Sequence, residues 1–251
     1  MTHTAPTPAS GGLVRAGEFL FRWRNLIFPI VLLGVGFGTR PRIAGGSMQM
    51  DHAVDVVGFM VSLSGQALRV VVIGLAYITR GGQNRQLWAN ALVEGGVFAH
   101  CRNPLYAGNV LILTGLAIVH GGWAMYLIVL PFFGFAYTAI VIAEEQYLRR
   151  RFGDAYARYC ERVPRWVPSL RHLRDTVRGA RLDWLRVLRK EYGTPVAWLS
   201  GIFALLVWEH TASSVALPPG ERRFIVVTWG ILAVVYLVTM RLKLRGSLGR
   251  A

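Results

Sequence analysis

The sequence predicts an all-α fold, a polytopic integral membrane helical bundle of about six transmembrane segments. Three observations predict it. Of the 251 residues, 53% are hydrophobic and only 16% are charged, whereas ordinary soluble domains carry roughly 25% charged residues. The apolar residues are gathered into blocks instead of being spread at amphipathic spacing. The basic residues cluster beside those blocks, mostly in alternate loops, as the positive-inside rule requires of a multi-pass chain.

The blocks run over 19–39, 54–79, 105–119, 122–143, 194–209 and 224–240. Several fall short of the roughly 20 residues a bilayer crossing needs, and 105–119 is the weakest on its own. The "HGG" at 120–122 reads as a tight turn, so 105–143 is expected to form one helical hairpin. The first twelve residues, "MTHTAPTPASGG", read as the start of a disordered tail reaching residue 18. They lack a basic-then-apolar layout and a small-residue cleavage site, so no cleaved signal peptide is expected.

The formal charge of +15 would suit nucleic acid if it lay on a soluble surface. Here it lies against the membrane blocks, which argues against a nucleic-acid partner. Arg15, Arg22 and Arg24 accompany the first block, and Arg80, Arg85 and Arg102 lie between the second and third. A basic stretch over 149–190 follows the fourth, and Arg241, Lys243, Arg245 and Arg250 follow the sixth. Six crossings bring these four clusters to one side, which the charge rule makes cytoplasmic, with both termini there. Arg40, Arg42, Arg222 and Arg223 are the exceptions. The two cysteines, Cys101 and Cys160, fall on that same side, so no disulfide framework is expected.

Within the basic stretch, Leu173, Val177, Ala180, Trp184 and Leu188 recur every three or four residues, among Arg171, Arg174, Arg178, Arg181 and Arg189. That pattern suits a helix lying in the headgroup layer, apolar side down, with Gly179 as a break. A solvated linker helix would read the same way.

Two polar stretches interrupt the apolar sequence. In "GGVFAHCRNPLYAG", 95–108, Pro104 suits the first turn of a helix. A helix starting there turns its free N–H groups toward the rim beside Arg102, an arrangement that favours an anion. The same residues also suit a plain positive-inside arginine next to a helix-starting proline. Gly108 lets a ligand or another helix approach closely. The second stretch is "AEEQYLRRRFGDAYARYCERVPRWVP", 143–168. Glu144 and Glu145 at a membrane boundary are costly to bury, and on a helix they point different ways. Either could bind an ammonium or ribose hydroxyls, or Glu145 could pair with Arg149 one turn on. Phe152, Tyr156 and Tyr159 can form an aromatic surface, which spacing alone assigns to packing as readily as to a ligand.

In order and at this separation, the two stretches resemble the paired signatures of the isoprenylcysteine carboxyl methyltransferase and phospholipid methyltransferase superfamily. Arg102, Pro104, Tyr106 and Gly108 match the first signature, and Glu144, Glu145, Leu148, Phe152, Gly153, Tyr156, Tyr159 and Pro164 match the second. The resemblance spans about 60–170. It implies S-adenosylmethionine bound at the cytoplasmic membrane face and an apolar or lipid acceptor arriving from the bilayer. It implies Arg102, Asn103 and Tyr106 at the reaction centre. The implied cofactor contacts are Arg102, Pro104, Tyr106, Gly108, Glu144, Glu145, Tyr156 and Tyr159.

Asn103 departs from the family's usual His, and Phe98 replaces an aromatic residue bearing a hydroxyl. Asn keeps hydrogen-bonding capacity but does not titrate near neutrality. The order of apolar and basic stretches, with the resemblance naming the core, divides the chain into a tail over 1–18, a methyltransferase-like core over 19–170, a basic interfacial segment over 171–193 and a two-helix extension over 194–251. Membrane reductases using NADPH carry related signatures, and a non-catalytic membrane binding protein is a third alternative. The six histidines show no metal-ligand spacing with Cys or acidic residues, so no metal is expected.

Overall fold

The computed structural model describes residues 11–75, 80–83, 86–89, 91–171, 174, 176, 178, 181–212 and 217–245. The fold is a helical membrane bundle. In chain order the helices are α1 (Gly12–Gly38), α2 (Met48–Leu75), α3 (Pro104–His120) and α4, which opens with a π-helical turn (Met125–Val129) and continues over Leu130–Arg162. Then follow α5 (Trp184–Glu191), α6 (Gly193–Ala212) and α7 (Pro219–Leu244). The six apolar blocks fall on α1 to α4, α6 and α7, with 76–79 outside the described residues.

Four of these helices, α1, α2, α4 and α7, are each long and apolar enough to cross a membrane. The other two fit less simply: α3 has 17 residues, and α6 has 20 but carries buried Glu209 and His210 near its end. The expected count of six therefore rests on four sufficient helices and two shorter ones.

Boundaries differ from expectation where side-chain patterns extend the helices. α1 begins at Gly12, inside the stretch read as a tail, because Val14, Gly17, Leu20 and Phe21 form a buried stripe. Gly17 lies so close to the Ala139 carbonyl of α4 that a Cβ there would collide with it. Residues 1–10 of the expected tail lie outside the described residues. α3 starts at Pro104 as expected, and Gly121 ends it in the left-handed conformation (φ 66°), its N–H donating to the Ala117 and Ile118 carbonyls. α4 runs well past 143 to Arg162, so the second signature is helical as far as Arg162 and leaves the helix at Val163. It changes direction at Gly153 (φ 52°, ψ −127°), a backbone conformation that side chains resist.

A short antiparallel strand pair, β1 (Arg80–Gln83) and β2 (Gln86–Ala89), follows α2 beside the otherwise helical bundle. Gly81 and Gly82 oppose helical continuation, and pairing the two short segments satisfies their backbone groups.

The bundle is built on close backbone approaches. Glycines seven residues apart on α2 (Gly58, Gly65) face glycines seven apart on α3 (Gly115, Gly108). A Cβ on Gly58 would meet the Gly115 carbonyl oxygen at 2.8 Å, and one on Gly108 would meet that of Gly65 at 2.9 Å. Small residues are what let helices pack this closely inside a bilayer. α4 meets its neighbours through aromatic rings instead, with Phe28–Phe133, Phe28–Tyr137 and Tyr106–Tyr137 centroids 4.8, 5.5 and 5.3 Å apart. The outward faces are apolar, including Leu26, Ile30 and Leu33 of α1, Val57 and Met60 of α2, and Val234 and Leu237 of α7. Lipid solvates such faces.

α5 docks on the end of α2. The Asp183 N–H donates to the Gly74 carbonyl at 3.0 Å, and Leu182 and Val187 pack over Gly74. Its opposite side leaves Trp184, Leu185 and Leu188 exposed. The earlier part of the expected apolar stripe, Leu173, Val177 and Ala180, lies outside the described residues, as does Gly179.

Candidate functional site

The two signature stretches are laced together in space. The Arg102 N–H donates to the Pro164 carbonyl at 2.9 Å, and the Ser169 N–H donates to the His100 carbonyl at 2.9 Å. Between them the Cys101 thiol approaches the Trp166 carbonyl at 3.3 Å, and Asn103 Nδ2 donates to the Arg165 carbonyl at 3.3 Å. His100 is buried, its Nδ1 2.7 Å from the Ser169 carbonyl and its Nε2 2.8 Å from Thr176 Oγ1. The loop before α3 is therefore held by the segment after α4.

This lacing gathers charge. Glu145 is buried on α4 and accepts two hydrogen bonds from Arg165, Nε to Oε1 at 3.0 Å and Nη2 to Oε2 at 2.7 Å. Arg102 Nη1 lies 3.5 Å from the same carboxylate. Glu145 takes these two partners, and not the alternative Arg149 one turn on, because the chain after α4 folds back along the helix instead of leaving it. The Glu145 hydrogen bond holds the Arg165 guanidinium above its ordinary pKa, with burial opposing. Glu144 points elsewhere, as adjacent helical residues must. It accepts from the Tyr106 hydroxyl at 2.7 Å. Arg102, Asn103, Tyr106, Glu144 and Glu145 thus come together at one end of the bundle, beside the start of α3.

The remaining candidates lie around this centre. Pro104 is buried at the first position of α3. Gly108 faces α2, against Gly65 and the stem of Arg69, so its bareness serves helix packing. Tyr156 and Tyr159 are buried beyond Gly153 and pack with Leu148, Val163 and Ala89. Tyr159 also donates its hydroxyl to the Phe98 carbonyl at 2.8 Å.

Three residues missed in the sequence stand out. Arg165 sits inside the quoted "VPRWVP" and carried a visible signal, a charge between two prolines. Arg69 is a charged residue inside an apolar membrane block, which by itself marks a functional or structural centre. Its partner Glu191 carried no signal, because the two meet only in space. At the far ends of α2 and α6, Asp51, Asp55 and Glu209 bring carboxylate oxygens within 4.8 Å of one another. Local ligand spacing did not reveal that cluster, since its members come from two distant helices.

A model of the phospholipid methyltransferase family matches residues 56–155. The cobalt-zinc-cadmium resistance protein CzcN of Cupriavidus metallidurans is 32% identical over 173 residues, covering 68% of this chain and 76% of that protein. Protein-S-isoprenylcysteine O-methyltransferase of Schizosaccharomyces pombe is 30% identical over 79 residues, 32% of this chain and 34% of that protein. The chain belongs to the integral membrane methyltransferase superfamily. The nickel-cobalt-cadmium resistance protein NccN of Alcaligenes xylosoxydans xylosoxydans is 26% identical over 117 residues, 43% of this chain and 53% of that protein. No solved structure matches. In this methyltransferase-superfamily member the family match covers most of α2, all of α3 and α4 as far as Ala155. Arg165 and Glu191 lie beyond it.

Proposed function

We propose that this membrane methyltransferase takes S-adenosylmethionine as donor and methylates a lipid or other apolar acceptor, in the manner of isoprenylcysteine carboxyl methyltransferases. The observation that carries this reading is the pairing of Arg102 with Glu145, 3.5 Å apart, backed by Arg165. An amino-acid end bears its carboxylate and its ammonium on one carbon. A guanidinium and a carboxylate side by side therefore complement it, and the donor set of this site fits the group. Arg102 and the first N–H groups of α3 would hold the cofactor carboxylate. Glu145 would take the ammonium, and Glu144, oriented by Tyr106, the ribose side.

When bound, the sulfonium supplies an already activated methyl group, so the protein needs little acid–base machinery. What this chain contributes is position and exclusion of water. Tyr106 and Asn103 line the reaction centre, with Tyr137 and Phe133 of α4 forming its dry wall. The acceptor enters sideways from the bilayer, and membrane lipids surround that path. Membership of the methyltransferase superfamily favours this reading over an NADPH-dependent reductase.

The site and both termini are read as cytoplasmic, supported by the four basic clusters. Cysteines introduced at Gly82 or Ser169 of a cysteine-free protein should resist impermeant reagents in intact cells, and strong labelling there would reverse the orientation. The direct test of function is incubation of the purified protein in membranes with labelled S-adenosylmethionine and total lipid extract. Mass analysis should find a methylated lipid or apolar molecule. Tight NADPH binding with no methyl transfer would replace the reading with the reductase one.

A further inference from the structure

We propose that Glu191, supplied by α5, and Arg69 on α2 form a positioning pair that fixes the start of α3 for methyl transfer; this rests on the function proposed above. Arg69 lies in the apolar middle of its sequence block, yet its guanidinium is engaged on both sides. On one side Nε donates to Glu191 Oε1 at 2.6 Å and Nη2 to Oε2 at 2.8 Å, with the Glu191 side chain 2% exposed. Gln66 Nε2 donates to the same Oε1 at 3.1 Å, and Gln66 is held in turn by Trp198 Nε1 at 3.0 Å. On the other side Nη1 donates to Asn109 Oδ1 at 2.6 Å and approaches the Leu105 carbonyl at 3.4 Å.

Those last two contacts straddle Tyr106. Leu105 precedes it and Asn109 follows it by nearly one turn. The Tyr137 ring of α4 lies 5.3 Å from that of Tyr106. A second observation points the same way. The Arg69 stem crosses α3 at Gly108, where a Cβ would meet its Cγ at 2.6 Å. The signature glycine is thus the gap through which the arginine reaches the first turns of α3. The chain of contact runs from Glu191 through Arg69 to the turns carrying Tyr106, and from Tyr106 to Glu144.

Glu191 touches none of the proposed reaction centre, so it acts through Arg69. The Arg102–Glu145 pair is fastened separately, by the hydrogen bonds from 102 and 103 to 164 and 165. Loss of the Glu191 charge should therefore disturb Tyr106 more than it weakens donor binding. It assigns a role to the C-terminal helices: α5 and α6 brace the site from outside the family match.

The test compares the parent with Glu191→Gln and the milder Asn109→Ala, purified in nanodiscs. Hydrogen–deuterium exchange over 100–112 should accelerate on the order of 10-fold in Glu191→Gln, with α7 unchanged. The kcat should fall on the order of 10- to 100-fold, as a small misplacement of a reacting group does. The Kd for S-adenosylmethionine should rise by a smaller factor than kcat falls. Glu191→Asp should recover part of the kcat, and Asn109→Ala should lower it less than Glu191→Gln. Unchanged exchange over 100–112 in both variants overturns the clamp. Accelerated exchange with unchanged kcat makes the pair a stabilising strut and overturns positioning. If the parent neither binds S-adenosylmethionine nor transfers methyl groups, the functional reading fails. The positioning role fails with it, and the exchange result then decides whether the clamp exists.

Discussion

Two buried ion-paired centres sit near the same end of the bundle, and they are built differently. In one, Arg69 is clasped by Glu191 through two short bonds, and its remaining donors are spent on Asn109 and Leu105. In the other, a single carboxylate, Glu145, faces two guanidiniums, and Arg165 keeps 39% of its side chain exposed. The first centre is saturated, which suits a brace. The second sets two guanidiniums around the Glu145 carboxylate next to a helix start, and Arg165 opens to solvent, which suits an anionic ligand. Burial of a charged pair alone therefore does not separate structure from function.

Breaking the second centre should have the largest effect. Glu145→Ala leaves two guanidiniums without their carboxylate, and removing one partner of a buried pair costs about 3–5 kcal/mol. Thermal unfolding and S-adenosylmethionine titration should both register the loss. A variant as stable and as avid as the parent would mean that Glu145 anchors neither. Arg102→Ala comes next, at about 1.5–3 kcal/mol of cofactor affinity, the range for a hydrogen bond to a charged group. That is roughly 10- to 150-fold in Kd. Arg102→Lys should recover only part of it, because Lys keeps the charge and loses the planar fork. Full recovery by Lys, or a defect in membrane insertion instead of binding, would make Arg102 a topology residue.

Gly153→Ala tests the bend that aims the end of α4 back toward the site. Its positive φ should cost roughly 1–3 kcal/mol of stability, read as a lower unfolding midpoint. A neutral result would show that the helix straightens there at no cost. Tyr106→Phe should cost about 1.5 kcal/mol, the low end for one lost hydrogen bond to a charged group such as Glu144, and should appear in kcat more than in Kd. Equal losses in both would put Tyr106 in donor binding.

These two centres also mark how far the sequence could be read. The apolar blocks, the start of α3 at Pro104 and the turn at 120–122 were legible because each depends on neighbouring residues. The early start of α1 was not, since its buried stripe has meaning only once α4 lies against Gly17. The hairpin at 80–89 was missed because its strands are too short for a periodic signal. At the site, Arg102, Tyr106 and the two glutamates were legible through motif resemblance. Arg165 was overlooked within a quoted motif. Glu191 was beyond reach, because its partner lies more than a hundred residues away and only folding brings them together.

Arg102 and Glu145 are proposed to recognise the amino-acid end of the donor. This recognition is tested most directly by titrating parent and Arg102→Ala proteins with S-adenosylmethionine and with its decarboxylated analogue. The parent should bind the decarboxylated form roughly 10-fold or more weakly, and Arg102→Ala should discriminate between the two far less. Equal discrimination by both proteins would contradict it.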